Sequence, residues 1–100
     1  MHQSKLASEQ VDLLCDALVA LEDREAAYCL LEDLCTIAEV QALAQRISVA
    51  KMLRGGATYQ EIVTATGAST ATISRVNRCL NYGSDGYLHT LEKLEEQGGC

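Results

Sequence analysis

Apolar side chains recur at steps of three and four along most of the chain, and no segment has the alternation of a half-buried strand. The chain contains no proline, and its seven glycines are mostly grouped at a few positions. Such a sequence can bury its apolar faces as short helices that end at glycines. We therefore predict an all-α fold of six helices without a sheet.

Capping signals predict where several of these helices begin. Thr36–Glu39 and Thr58–Glu61 both have the spacing of a capping box, in which a Thr hydroxyl and a Glu carboxylate pair with the free amides of a helix start. Ser69 is expected to cap the next helix, and Gly83 is expected to end it. The predicted organisation is one domain over 1–97, with dimerisation helices in 1–54, a helix-turn-helix in 58–81, a C-terminal helix in 84–97 and a disordered tail in 98–100.

The first two predicted helices are apolar on one face and acidic on the other. A chain of 100 residues has little else with which to cover those apolar faces. A second copy of the chain would cover them, so we expect a homodimer.

The segment from Thr58 to Leu80 carries the pattern with the clearest functional meaning. Two short helices joined by a tight turn at 67–69 form the plan of a helix-turn-helix. Gly67 stands where the chain needs a positive φ angle, which glycine adopts without strain. Four apolar residues are spaced to pack the two helices together, namely Ile62, Ala68, Ile73 and Val76.

The second helix of this motif begins with small and hydroxyl-bearing side chains, followed by two arginines. Small side chains let the backbone approach base edges, and hydroxyls can bond bases or phosphates. Arginine serves both guanine and phosphate. The pattern predicts double-stranded DNA as the partner, with contacts from Thr58, Gln60, Ser69, Thr70, Ala71, Thr72, Ser74, Arg75 and Arg78, and from Arg54 at the flank.

The net charge of −6 is unusual for a DNA-binding protein, but the positive charge is concentrated in one segment. Residues 1–40 hold two basic and nine acidic side chains, and residues 84–100 hold one basic and four acidic. Residues 41–83 hold five basic side chains and one acidic. A local basic surface suffices for phosphate contact, so the acidic total does not argue against DNA.

A protein-binding adaptor and an enzyme are the two alternatives to DNA binding. A helical adaptor could use residues 1–35 to bind a protein partner, because helical hairpins joined by glycine turns are common. An enzyme would need an acid–base or nucleophile arrangement, and the sequence offers none; its two histidines are too far apart to suggest a metal site. The hydroxyl-rich helix start beside two arginines favours DNA over the adaptor.

The run Gly67-Ala68-Ser69-Thr70-Ala71-Thr72-Ile73-Ser74-Arg75 resembles the Trp repressor superfamily, specifically its YerC/YecD branch. The likeness extends to residues 78–83 and, upstream, to residues 33–36, 43–46 and 52–54, and it covers roughly residues 10–90. The resemblance implies a six-helix, intertwined homodimer that acts as a transcriptional regulator, with repression as the expected mode. It also implies that the second motif helix enters the major groove, with two half-sites about one DNA turn apart.

The tryptophan site of that family does not carry over to this chain. Val76 stands where tryptophan repressors have a glycine that leaves room for the indole ring, and Gln45 and Cys79 replace an arginine and a serine of the corepressor site. Arg75 matches the one other residue that contacts the corepressor in that family. We therefore expect no tryptophan corepressor and no cofactor, and leave a different small ligand open.

The five cysteines show no CxxC spacing and are odd in number. Reduced, mostly buried thiols are expected, with Cys100 as the exposed one.

The N-terminus lacks the apolar block of a signal peptide, and no apolar run is long enough for a membrane span. The sequence predicts a cytoplasmic protein.

Overall fold

A computed structural model of the protein describes residues 4–98. Within that range it contains six helices and no strand, as the sequence predicts. The helices are α1 (Glu9–Val19), α2 (Arg24–Leu34), α3 (Ile37–Arg54), α4 (Tyr59–Thr66), α5 (Thr70–Tyr82) and α6 (Gly86–Glu96). Of the predicted disordered tail, residues 99–100 lie outside this range.

Short polar side chains and glycines set the ends of the helices. Ser8 and Asp23 cap α1 and α2 by accepting hydrogen bonds from the backbone N–H groups of Val11 and Ala26. Gly83 ends α5 in extended backbone. A Cβ at this glycine would collide with the carbonyl oxygen of Cys79, so the position excludes a side chain.

The chain divides into two compact units, one up to Ile37 and one from Ala38 onward. The second unit holds a core to which α3, α4, α5 and α6 all contribute, formed by Val49, Ala50, Ile62, Ala68, Ile73, Val76 and Leu91. The four residues predicted to pack the helix-turn-helix together are all in it, at 0–1% exposure. That prediction is confirmed.

The first unit consists of α1 and α2, and neither helix has a buried residue. Large apolar side chains are strongly exposed there, including Leu13 at 70% and Val19 at 84%. Cys15 and Cys29 are exposed as well, as is Cys79 in α5. The expectation of mostly buried thiols is therefore wrong for the single protomer: Cys15 and Cys29 lie on helices without a buried residue, and Cys79 lies on an exposed side of α5. Cys100 lies outside the described residues.

Among residues 4–98, no helix is both long enough and apolar enough to cross a membrane.

Candidate nucleic-acid interface

The first helix of the motif begins with the predicted capping box. The hydroxyl of Thr58 accepts a hydrogen bond from the N–H of Glu61 at 3.1 Å, and the carboxylate of Glu61 accepts one from the N–H of Thr58 at 2.8 Å. The Thr58 backbone N–H holds the pKa of the Glu61 carboxyl below its usual value. The capping box thus fixes where α4 begins.

The turn between α4 and α5 is held by glycine and by two hydroxyls. Gly67 has a φ of 73°, the left-handed conformation expected from the sequence. The Thr66 hydroxyl donates to the carbonyl of Ile62 at 2.8 Å and accepts from the N–H of Ala68 at 3.1 Å. Ser69 caps α5 by accepting from the N–H of Thr72 at 3.1 Å. Hydrogen bonds of Thr66 before the turn and of Ser69 after it therefore fix where α5 begins.

A polar contact also joins the exposed sides of the two helices. The side-chain amide of Asn77 in α5 donates to the hydroxyl of Tyr59 in α4 at 3.4 Å, and Asn81 donates to both the backbone and the side-chain oxygen of Asn77. Neither asparagine was singled out from the sequence. Together with the core, the Asn77–Tyr59 contact holds α4 and α5 against each other.

The structure places most of the predicted DNA contacts on the exposed surface of this motif. Thr70 and Ser74 are one turn apart on α5 and share a face, and Arg75 and Arg78 follow on the same helix. Thr72 is half-buried, which agrees with its proximity to the Ser69 cap. The exposed residues of the predicted set in the motif are Thr58, Gln60, Ser69, Thr70, Ala71, Ser74, Arg75 and Arg78.

Arg54, the remaining predicted contact, is paired within the protein. Its Nε and Nη2 atoms donate to the two carboxylate oxygens of Glu95 in α6, at 3.0 and 3.2 Å, and Nη2 lies 3.9 Å from Glu92. The hydrogen bond to Glu95 raises the pKa of the Arg54 guanidinium and lowers the pKa of the Glu95 carboxyl. The pairing uses Nε and Nη2, so the face of the guanidinium best suited to a bidentate phosphate contact is already bonded to Glu95.

A groove of about 340 Å³ lies beside the motif. The residues that line it include Gln45, Arg46, Arg75, Val76, Cys79 and Tyr87. Val76 is 1% exposed and its side chain belongs to the core, while the Gln45 amide donates to the Thr66 carbonyl at 3.2 Å. Two of the positions at which the sequence departs from the tryptophan site are thus already engaged within the protein. The contact of Gln45 with Thr66 was not expected from the sequence.

No group of three or more His, Cys, Asp or Glu side chains in the described part of the chain could hold a metal ion.

The model of the Trp repressor protein family matches residues 9–95 of the chain. The uncharacterized protein YerC of Bacillus subtilis (strain 168) is 53% identical over 96 residues, which are 96% of this chain and 92% of YerC. Among crystal structures, a TrpR-like protein from Eubacterium eligens ATCC 27750 is 54% identical with a TM-score of 0.86, covering 91% of this chain and 94% of that one. A candidate Trp repressor from Staphylococcus aureus is 48% identical with a TM-score of 0.86, covering 91% of each chain.

The likeness therefore extends over nearly the whole chain in both sequence and fold. With a TM-score of 0.86 to both solved structures, the chain shares their overall fold. The chain belongs to the Trp repressor family, a family of helix-turn-helix regulators rather than enzymes.

Proposed function

We propose that the protein is a sequence-specific DNA-binding transcriptional regulator, a repressor that acts as a homodimer in the cytoplasm and does not depend on L-tryptophan. One observation carries the proposal. The hydroxyl-rich start of α5 is exposed and is followed by Arg75 and Arg78, on a helix whose position is fixed by a cap, a core and the Tyr59–Asn77 contact.

In this proposal the start of α5 enters the major groove. Thr70 and Ser74 share a face and can hydrogen-bond base edges, and the small side chain of Ala71 can contact a thymine methyl group. Thr72 lies at the same helix start, but its hydroxyl already contacts Ser69 at 3.1 Å. Thr70 and Ser74 therefore carry most of the base recognition.

Phosphate contacts come from the edges of the same surface. Arg75 and Arg78 serve phosphate or guanine, while Thr58, Gln60 and Ser69 reach the backbone from the starts of α4 and α5. Arg54 joins them when phosphate takes the place of Glu95. These contacts fix the register of the protein on the duplex without reading its sequence.

Exposed apolar side chains in the first unit support the homodimer. Leu13 and Val19 on α1 and Ile37 at the start of α3 are 70–84% exposed. Several large apolar side chains exposed in one unit are typical of a protein–protein interface. A second copy of the chain that covers them would bring two helix-turn-helix motifs to two half-sites about one DNA turn apart.

Two features of the groove support independence from tryptophan. The β-branched Val76 occupies the position at which the corepressor-dependent relatives have glycine, and the Gln45 amide is bonded to Thr66. Val76 therefore narrows the groove where glycine would leave it open, and Gln45 offers an amide already bonded to Thr66 in place of the arginine that holds the corepressor.

A salt-titrated binding assay tests the proposal, using a duplex selected from a random library and a scrambled duplex. Thr70→Ala or Ser74→Ala should each cost about 1–3 kcal/mol on the selected duplex and little on the scrambled one. Thr90→Ala removes an exposed hydroxyl from α6 and serves as the matched control. Equal losses on both duplexes would mean that α5 does not read bases.

The same assay tests the alternative, a helical adaptor that binds a protein partner and not DNA. If the wild-type protein binds neither duplex at low salt, the adaptor becomes the better account, since a phosphate-dependent interaction is strongest there.

A further inference from the structure

The side chain of Gln45 joins α3 to the turn of the helix-turn-helix. Its Nε2 atom donates to the carbonyl oxygen of Thr66 at 3.2 Å, across 21 residues of sequence. Thr66 is the last residue of α4, so its carbonyl is one of those that the helix itself leaves without a partner. Both side chains are half-buried. The hydrogen bond therefore connects α3 to the point at which α4 ends.

The residue that Gln45 contacts also organises the turn. The Thr66 hydroxyl bonds the carbonyl of Ile62 and the N–H of Ala68, two residues before the first residue of α5. A displacement of Thr66 would therefore be passed on to the start of α5. The direction in which α5 leaves the turn thus depends on where Thr66 is held.

The apolar core behind the turn packs the same helices together but contains no hydrogen bond between α3 and the turn. Val49 of α3 packs with Ile62 and Ile73 in that core, and such burial is non-directional. Gln45 lies four residues before Val49 and so on the same face of α3. Its hydrogen bond adds a directional contact at the edge of the core.

We infer that Gln45 is a positioning residue for DNA recognition, whose bond to the Thr66 carbonyl sets the orientation of the helix-turn-helix relative to α3. The inference rests on the proposed homodimer and its two half-sites. With both motifs held in this way, the dimer accepts half-sites at one separation. Without the bond, each motif can tilt, and the dimer tolerates altered separations.

The experiment varies the spacing between half-sites. Gln45→Met keeps the length of the side chain and removes the donor. Its affinity for the preferred spacing should fall about five-fold, the size of one net hydrogen bond, while its affinity for duplexes with one base pair inserted or deleted should change less than about two-fold. The slope of log affinity against log salt should stay the same, because no phosphate contact is lost. Hydrogen exchange at the Ala68 amide should become faster.

Gln41→Met is the matched control, because Gln41 is an exposed residue one turn earlier on α3. It should leave the spacing preference and the Ala68 exchange rate unchanged. If Gln45→Met matches the wild type in both measurements, the inference is wrong and the proposed function stands. If Gln45→Met does not fold, Gln45→Asn keeps the amide but is one methylene too short to reach Thr66, and the same criteria apply.

Failure of the proposed function would look different. In that case the wild-type protein itself would not distinguish the duplexes. The exchange rate of the Ala68 amide would then test the position of the turn without DNA. Faster exchange in Gln45→Met would support the inference that Gln45 holds Thr66 in place, and unchanged exchange would overturn that inference.

Discussion

Arg54 and Glu95 form a bidentate ion pair, with Nε 3.0 Å from one carboxylate oxygen and Nη2 3.2 Å from the other. The pair joins the last residue of α3 to α6. Arg54 was predicted as a phosphate contact from the basic segment in which it lies, and its partner stands 41 residues further along the chain. Because no local spacing indicates such a pair, the sequence could not show that this guanidinium is already occupied.

The pairing predicts that Glu95→Gln strengthens DNA binding. A neutral amide holds Arg54 less firmly, so the guanidinium becomes free for phosphate. An exposed ion pair contributes little, and we expect affinity for any duplex to rise by about two- to five-fold. The slope of log affinity against log salt should steepen by about one unit, as for one added phosphate contact.

Glu96→Gln provides the control for this experiment, because it removes the same charge from an exposed position on α6. Any gain common to both variants reflects the general loss of negative charge. If Glu95→Gln gains no more than Glu96→Gln, releasing Arg54 from Glu95 adds no phosphate contact, and the prediction is wrong.

The capping box at the start of α4 predicts a specific dependence of stability on pH. The pKa of Glu61 is lowered in the folded protein by the Thr58 N–H, so its contribution is present above the unfolded value and is lost as pH falls through the folded value. Denaturant unfolding from neutral pH down to about pH 3 should show this loss in the wild type. Glu61→Gln retains a capping partner that does not titrate and should lose less stability over the same range.

Glu32→Gln makes the same charge change on the exposed surface of α2 and separates the capping effect from a general one. If Glu61→Gln and Glu32→Gln respond to acid in the same way, the Thr58–Glu61 bond does not contribute to stability in solution.

The sequence predicted most accurately those features that depend on neighbouring residues. The capping box at Thr58, the left-handed Gly67 and the Ser69 cap all follow from short-range spacing, and each is confirmed. The core of the motif could also be predicted, because helical periodicity places Ile62 and Ile73 on inward faces.

Contacts between distant residues could not be predicted in this way. Gln45 with Thr66 and Asn77 with Tyr59 join residues 21 and 18 positions apart, and a polar side chain alone does not indicate its partner. The expectation of buried thiols failed for a related reason. Cys15 and Cys29 lie on helices with apolar faces, but the protomer does not cover those faces.

L-Tryptophan should not change the thermal stability of the protein. Val76 presents a side chain where the tryptophan-dependent relatives have glycine, and Gln45, which replaces an arginine, is bonded to the Thr66 carbonyl. A ligand at 100 to 1,000 times its dissociation constant would stabilise the folded state by about 3–4 kcal/mol, which raises the midpoint by several degrees. Differential scanning calorimetry with millimolar tryptophan measures this directly. A clear rise in the midpoint would refute our interpretation of the groove.

The uncovered apolar side chains of α1 predict that the homodimer depends on them. Light scattering should give about twice the chain mass of 10.8 kDa for the wild type at micromolar concentration. Leu13 is 70% exposed in the protomer, and Leu13→Glu would place a charge in the interface, where burying an unpaired carboxylate is costly. We expect this variant to be monomeric or to unfold.

Gln10→Glu is the control for Leu13→Glu, because it adds the same charge at an exposed polar position of α1 and should remain dimeric. A wild-type protein that is a folded monomer, or a Leu13→Glu variant that keeps the dimer mass, would show that α1 does not form the interface.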